Sequence, residues 1–438
     1  MKRYLQGSLW LGMYVLVSLS PLLLAMVGPH PPRRDFLTEF SVALGFVGLA
    51  MIGLQFVITA RFRRVAAPYG LDIILRFHRE ISIAAFGIVL AHPLLILWRD
   101  QSLHILNLPA QPPRVWFGVF SLLALIAVIV TSIWRVRLRI PYETWRIAHG
   151  SLAIAALAMA LGHVIGVGHY IAMPWKQALW IAMAAMSVIL LLHVRVFKPW
   201  RMLHAPWRVE RVKAERGNSW TITFRPIDHA GFRFEPGQFG WITLFTSPFA
   251  IEEHPFSFSS SALQTDTVEV TIKALGDFTG KIGALKEGDI AYIDGPFGAF
   301  TNERYEAPGF VFIAGGVGIT PIMSMLRTLV DYQDTRPLLL IYANKCFEDV
   351  TFREELEELE QKWPNLAIVH VLEETPEDWS GEQGFVDAEV LERHLPEHRN
   401  RRQYFLCGPL PMLVNVELAL RTVHVPQTHI HAELFNLV

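Results

Sequence analysis

Cysteine is nearly absent from this chain: Cys346 and Cys407 are the only two in 438 residues. Two thiols give neither a disulfide framework nor a thiolate iron–sulfur or zinc site, which leaves histidine as the plausible metal ligand. Charge is scarce too, at 18% of residues, and the formal net charge is −1. There is no basic field to draw nucleic acid, and no nucleic-acid partner is expected. The hydrophobic fraction, 52%, is too high for an ordinary soluble protein. That average hides a division. Residues 1–200 hold nearly all the long apolar runs, whereas 201–438 read as a water-soluble α/β protein.

Six membrane spans are legible, at roughly 7–27, 36–60, 73–98, 116–134, 145–166 and 175–197. The first follows Lys2 and Arg3 and runs for about 20 apolar residues, a span length rather than a signal-peptide length. One set of connections holds Arg61, Arg63, Arg64, Arg135, Arg137, Arg139, Arg195, Lys198 and Arg201; the opposite set holds only Arg33, Arg34, Arg99, Arg114 and Lys176. The richer side is expected in the cytoplasm, with both termini and the soluble half. Membrane lipid is therefore the first expected partner.

Within this apolar half the histidines are placed regularly. His78 and His92 are fourteen apart on the third span, and His149 and His163 are fourteen apart on the fifth. Fourteen residues return to within about 40° on a helix and rise about 21 Å, so each pair shares one face and spans most of the bilayer. Both spans run the same way. Side by side they give two cross-helix pairs, His78 with His149 at the inner end and His92 with His163 at the outer. Intramembrane ionisable residues are costly without a role, and neutral imidazole is a good axial ligand for haem iron. The pattern predicts two haems, expected to be of b type, stacked across the membrane. Arg76, Arg79 and Arg146 surround the inner pair, where either haem propionates or lipid headgroups would meet them. Pro93, directly after His92, is expected to bend its helix.

The soluble half opens with six short alternating runs between Trp207 and Gly298, a pattern of strands that suggests a small antiparallel barrel. Within it lie His254-Pro255-Phe256-Ser257 and, further on, Lys273-Ala274-Leu275-Gly276-Asp277-Phe278-Thr279-Gly280. An aromatic face can cover an isoalloxazine ring, a hydroxyl can reach its N5 edge, and Lys273 with backbone N–H groups near Gly276 and Thr279 can take a pyrophosphate. This pair of motifs resembles the flavin-binding motifs of the ferredoxin–NADP reductase superfamily, and more closely those of its membrane branch, the ferric reductases and NADPH oxidases. His254 stands where the superfamily commonly has Arg, Phe256 where it has Tyr, and Ser257 where it has Ser or Thr. The membrane branch itself often reads His-Pro-Phe-Ser/Thr.

After Gly298 the pattern becomes α/β. A buried strand at 309–314 runs into Gly315-Gly316-Val317-Gly318-Ile319-Thr320-Pro321 and then a helix, the arrangement that cradles phosphate. This turn is similar to the nicotinamide site of the same superfamily. Cys407-Gly408-Pro409 also matches, and the resemblance implies a cysteine near the nicotinamide ring. It further implies an aromatic near the C-terminus over the flavin, for which Phe435 is the candidate. Ser257, Cys407 and Phe435 are thus the expected catalytic positions. Lys345 and Arg353 follow the next strand and would suit a 2′-phosphate, tilting the expectation toward NADPH over NADH, although either fits a surface charge equally.

The resemblance implies a multidomain chain: a six-helix haem-binding transmembrane bundle over 1–200, an antiparallel β-barrel FAD domain over 201–303, and a doubly wound α/β NAD(P)-binding domain over 304–438. It implies a bacterial inner-membrane oxidoreductase passing electrons from NAD(P)H through FAD and two haems to an outer acceptor, either dioxygen or a ferric chelate. A periplasmic redox partner and a haem-free tethered flavin reductase are the alternatives. In the eukaryotic oxidases a second histidine lies one turn beyond the outer ligand; Ile96 stands at that position here. Arg99 and Arg114, on outer loops, would attract an anionic acceptor.

Overall fold

The computed structural model describes residues 2–28, 31–32, 34–62, 70–100 and 107–434. The chain divides into two compact units, Met1–Lys198 and Pro199–Val438. The first holds six helices long and apolar enough to cross a membrane. They are α1 (Lys2–Ala25), α2 (Phe36–Thr59), α3 (Leu71–Arg99), α4 (Pro113–Ile133), α5 (Tyr142–Val167) and α6 (Pro174–Leu192). A π-helical turn, His193–Phe197, leads from α6 into a short helix α7, Lys198–Leu203.

Local chemistry sets the helix starts. The Asp35 carboxylate accepts from the Thr38 N–H at the start of α2 (3.1 Å). Pro113 and Pro174 occupy first-turn positions, where a missing N–H costs nothing. At the other end of α1, the buried Lys176 ammonium donates to the Ala25 carbonyl (2.8 Å), satisfying an end-of-helix acceptor and tying α6 to α1. Pro93 does not interrupt α3, which continues to Arg99. Helices α2 and α3 approach closely at Gly48, where an added Cβ would stand 2.6 Å from the Val89 side chain.

The second unit begins with the barrel: β1 (Trp207–Glu215), β2 (Ser219–Pro226), β3 (Phe239–Thr243), β4 (His254–Ser257), β5 (Val268–Lys273) and β6 (Ile290–Phe297). They pair antiparallel in the order β4-β3-β6-β1-β2-β5. A bridge between Phe258 and Val270 joins the end of β4 to β5 and closes the circuit. Inward-facing Trp207, Phe224, Ile242 and Phe258 fill the centre.

The α/β layer follows. Its sheet contains β7 (Phe310–Gly315), β8 (Leu338–Asn344), β9 (Leu366–Leu372), β10 (Glu382–Gln383), β11 (Gln403–Cys407) and β12 (Ile430–Glu433), all parallel, in the order β10-β9-β8-β7-β11-β12. The connecting helices are α8 (Ile319–Asp331), α9 (Arg353–Lys362), α10 (Ala388–His394) and α11 (Leu410–Thr422). From β7 the chain builds outward through β8 to β10, then returns to place β11 on the other side of β7. That reversal opens a crevice between β7 and β11 at their carboxyl ends, where such folds bind ligands.

One face of α8 fastens this layer to the barrel. The Ser324 hydroxyl donates to the Ser260 carbonyl (2.7 Å), and the Thr328 hydroxyl accepts from the Ala262 N–H (2.9 Å). Arg327 donates to Glu269 (3.0 Å), Glu355 (2.7 Å) and the Ser259 carbonyl (2.8 Å). Burial works against the charged guanidinium, but the two carboxylates outweigh it and hold Arg327 above its ordinary pKa. Removing the guanidinium would leave the mostly buried Glu269 without its main counter-ion. Arg327→Met is expected to destabilise this unit by about 2–4 kcal/mol, read as the urea midpoint of the detergent-purified full chain.

Candidate functional site: four pinned imidazoles and a crevice at the sheet's switch point

His78 and His92 lie on α3, and His149 and His163 on α5. The structure brings them together in the pairs the spacing requires. Ring centres of His78 and His149 are 6.4 Å apart, and those of His92 and His163 are 6.3 Å apart.

Each ring is held from behind through Nδ1. His92 donates to the Ser41 carbonyl (2.9 Å), while the Ser41 hydroxyl donates to the His92 carbonyl (2.8 Å). His163 donates to the Arg114 carbonyl (2.7 Å). His78 donates to Gln55 Oε1 (2.9 Å), whose amide is oriented because Nε2 donates to the Met51 carbonyl (2.9 Å). His149 donates to Ser132 Oγ (3.2 Å), whose own proton goes to the Val128 carbonyl (2.6 Å). A carbonyl can only accept, so these partners fix the proton on Nδ1 and leave the Nε2 lone pair for a metal. Among the described residues no Nε2 of the four has a hydrogen-bond partner.

The separation suits one iron between each pair. Two imidazoles that each met one metal through a nitrogen at about 2.0 Å would have ring centres about 6 Å apart. Among the described residues no group of three or more His, Cys, Asp or Glu is placed to hold a metal ion by itself. Near the inner pair, the buried Trp145 indole N–H has no partner, and its ring is 5.1 Å from that of His149. An orphaned donor there suits a haem propionate. The residues present therefore fit haem.

Sequence reasoning missed the residues behind the rings. Ser41 and Gln55 on α2 are themselves fourteen apart, as are Gly118 and Ser132 on α4. The spacing thus recurs on four helices, and polar residues in apolar helices were the available signal. Glycine matters here for space. An added Cβ at Gly118 would stand 2.9 Å from His163 Nδ1, and one at Gly45 would stand 3.3 Å from the His92 ring. Gly118→Val is expected to displace His163 and at least halve outer-haem occupancy, read from the reduced-minus-oxidised spectrum.

At the end of α3 beyond His92, Arg99 is paired with Asp35 at 2.8 Å, so an anionic acceptor would compete with that carboxylate for it. The Arg114 guanidinium is exposed and has no charged partner among the described residues. Ile96 lies within α3, one turn past His92.

In the barrel, the two flavin motifs meet. His254 stacks on Phe278 at 3.8 Å, and the Phe256 and Phe278 rings are nearly parallel at 6.2 Å. Pro255 pairs with Trp241 and the buried Ser257 with Phe239 in the β3–β4 ladder. Lys273 ends β5, half-buried. The Thr279 hydroxyl accepts from the N–H groups of Gly276 (2.9 Å) and Leu275 (3.0 Å), shaping this loop into a tight turn.

The crevice between β7 and β11 collects the remaining motif residues. Gly316 has φ +52° and open space where a side chain would stand, so the turn presents bare backbone outward. Gly318 touches the other wall: an added Cβ would lie 2.2 Å from the Cys407 carbonyl oxygen and 2.9 Å from Gly408 Cα. A Cβ on Gly315 would meet Met412 Sδ at 2.3 Å and Pro409 at 3.1 Å. The Thr320 hydroxyl donates to the Val317 carbonyl (2.8 Å), and Pro321 is buried in the first turn of α8. Cys407 is fully buried at the end of β11, and burial raises its thiol well above the usual range, keeping it protonated. Lys345 is paired with Glu374 (3.2 Å), and Arg353 lies over the Phe347 ring (4.5 Å) with Glu354 and Glu357 nearby. Phe435 lies outside the described residues.

Comparison with known proteins gives each part a family. Residues 44–160 match the ferric reductase like transmembrane component, 207–289 an FAD-binding domain, and 312–417 the oxidoreductase NAD-binding domain. The first match includes His78, His92 and His149; His163 falls just past its end. The glycine betaine monooxygenase reductase subunit of Chromohalobacter salexigens is 29% identical over 237 residues, 52% of this chain and 63% of that protein. NADH-cytochrome b5 reductase 1 of Debaryomyces hansenii is 35% identical over 149 residues, 33% of this chain and 52% of that protein. The chain thus spans under two thirds of the length of either relative. Among solved structures, the flavohem-like FAD/NAD binding domain of nitric oxide dioxygenase from Vibrio cholerae O1 biovar El Tor aligns with 52% of this chain and 97% of its own, at 22% identity and a TM-score of 0.47. Read in chain order, the three domain matches give this integral membrane protein the ferric reductase / NADPH oxidase-like architecture, a ferric reductase-like transmembrane component joined to FAD- and NAD-binding reductase domains.

Proposed function

We propose that the chain is a transmembrane oxidoreductase that takes electrons from cytoplasmic NAD(P)H and delivers them to an acceptor on the outer face, dioxygen or a ferric chelate. When bound, FAD would take up a hydride and release its electrons singly, and two haems would carry them one at a time. The observation that carries this reading is the pair of imidazole pairs at 6.3 and 6.4 Å, every ring fixed by Nδ1.

The chain's own residues then have separate tasks. The backbone of Gly315, Gly316 and Gly318, with the start of α8, receives the dinucleotide phosphates. Gly408 and Pro409 form the wall of the crevice on the β11 side, and Cys407, kept as a neutral thiol by burial, packs the core directly beneath them. His254, Phe256 and Ser257 position the isoalloxazine, and Lys273 with the 276–279 turn faces the pyrophosphate. Gln55, Ser132, Ser41 and the Arg114 carbonyl hold the imidazoles rigid, which lowers the rearrangement needed when charge changes between them. No group in the membrane unit acts as a general acid or base in this scheme. The excess of Lys and Arg on one set of loops supports a reading in which both termini lie in the cytoplasm, and the reading takes the membrane to be a bacterial inner membrane.

Anaerobic titration of the purified full chain with NADH or NADPH tests the path. Flavin bleaching followed by sharp haem bands, discharged by dioxygen or ferric citrate, is the expected outcome. Bleaching with no haem reduction in a haem-loaded preparation contradicts it.

A further inference from the structure

The α/β layer carries a nucleotide selectivity of its own, and we infer that it takes NADH in preference to NADPH. This rests on the proposed electron-donor role of the crevice. In a doubly wound sheet the phosphates lie at the first glycine turn, and the adenosine ribose falls at the carboxyl end of the neighbouring strand. Here that strand is β8, and its last residue is Asn344.

Asn344 is 6% exposed, and neither amide atom makes a hydrogen bond of acceptable geometry, although it lies beside the Tyr342 hydroxyl. That hydroxyl is engaged elsewhere, donating to the Gly316 carbonyl (3.0 Å) and so linking the end of β8 to the glycine turn. A buried amide with both a donor and an acceptor to satisfy matches ribose hydroxyls, which are donors and acceptors at once. A phosphate on the 2′ oxygen only accepts, and it brings roughly −1.5 to −2 of charge.

Such a phosphate needs free cations, and the two at hand are committed. Lys345 is paired with Glu374. Arg353 lies over Phe347 with Glu354 at 3.7 Å and Glu357 at 3.8 Å. The backbone that carries two nearby carboxylates is fixed by the sheet itself. Just past the end of β9, the N–H groups of Glu373 and Glu374 donate to the carbonyls of Asn344 (3.1 Å) and Lys345 (2.7 Å). Two acidic residues are thereby anchored beside the ribose position. An exposed ion pair is weak, so Lys345 can turn toward a phosphate. Doing so would leave the Glu374 carboxylate unpaired next to that phosphate, which is a selection against the wrong ligand.

The test is calorimetric titration of the FAD-loaded full chain with ADP-ribose and with 2′-phospho-ADP-ribose. ADP-ribose is expected to bind at least tenfold more tightly, and Glu374→Arg is expected to narrow that ratio at least tenfold. Equal or tighter binding of the phosphorylated ligand by the unaltered chain overturns the inference, as does a ratio unmoved by Glu374→Arg. Neither ligand carries a nicotinamide. Selective binding together with absent haem reduction would therefore contradict the electron path and leave the selectivity standing.

Discussion

His92→Leu is expected to abolish the outer haem, cut electron delivery to an outer acceptor at least 100-fold, and leave flavin reduction by NADH within twofold of the parent. The imidazole pairs are independent enough for this separation. His92 is held by Ser41 on α2, and His78 by Gln55 some four turns away on the same helix. Leucine keeps volume and helix propensity, so α3 has no reason to unfold. It supplies no lone pair, and His163 would be left as a single axial ligand. The inner pair then sits about 21 Å along the helix from the vacated outer position. His163→Leu should reproduce the effect from the other helix. The checks are the haem-to-FAD ratio and stopped-flow flavin bleaching on one preparation. Two intact haems in both variants would rule out the ligand assignment.

Gly318→Val is expected to give the complementary phenotype: haem content unchanged, and kcat/KM for the nucleotide down at least 100-fold, about 2.7 kcal/mol of lost transition-state binding. The cause is steric and local. The added Cβ would lie 2.2 Å from the Cys407 oxygen and 2.6 Å from the Cys407 carbonyl carbon. Both contacts are backbone, so no side-chain rotation relieves them. The β7–α8 turn must move away from β11, and the two walls of the crevice separate. Flavin reduced chemically in this variant should still pass electrons to haem. Wild-type rates of flavin reduction by NADH would show that the walls need not touch.

The membrane half was legible because its chemistry repeats. A spacing of fourteen on two apolar spans fixes both the face and the depth of four histidines, whatever the loops do. The six barrel strands were equally open to reading, since alternation and glycine or proline boundaries coincide from Trp207 to Gly298. What escaped was whatever depends on a second helix or strand. Ser41 and Gln55 look like scattered polar residues until α2 is laid against α3. Gly118 looks like helix-interior glycine until His163 is set against it. Arg327 reads as a surface charge on an amphipathic helix, yet it fastens the α/β layer to the barrel through Glu269 and Ser259. Lys345 and Arg99 were plausible anion ligands by type, and only the fold shows Glu374 and Asp35 beside them.

Porphyrin and iron counted against FAD in the purified full chain test the account most directly. Two haems per FAD, both with the low-spin spectrum of paired imidazoles, are predicted. A preparation with full FAD and no iron porphyrin would contradict it.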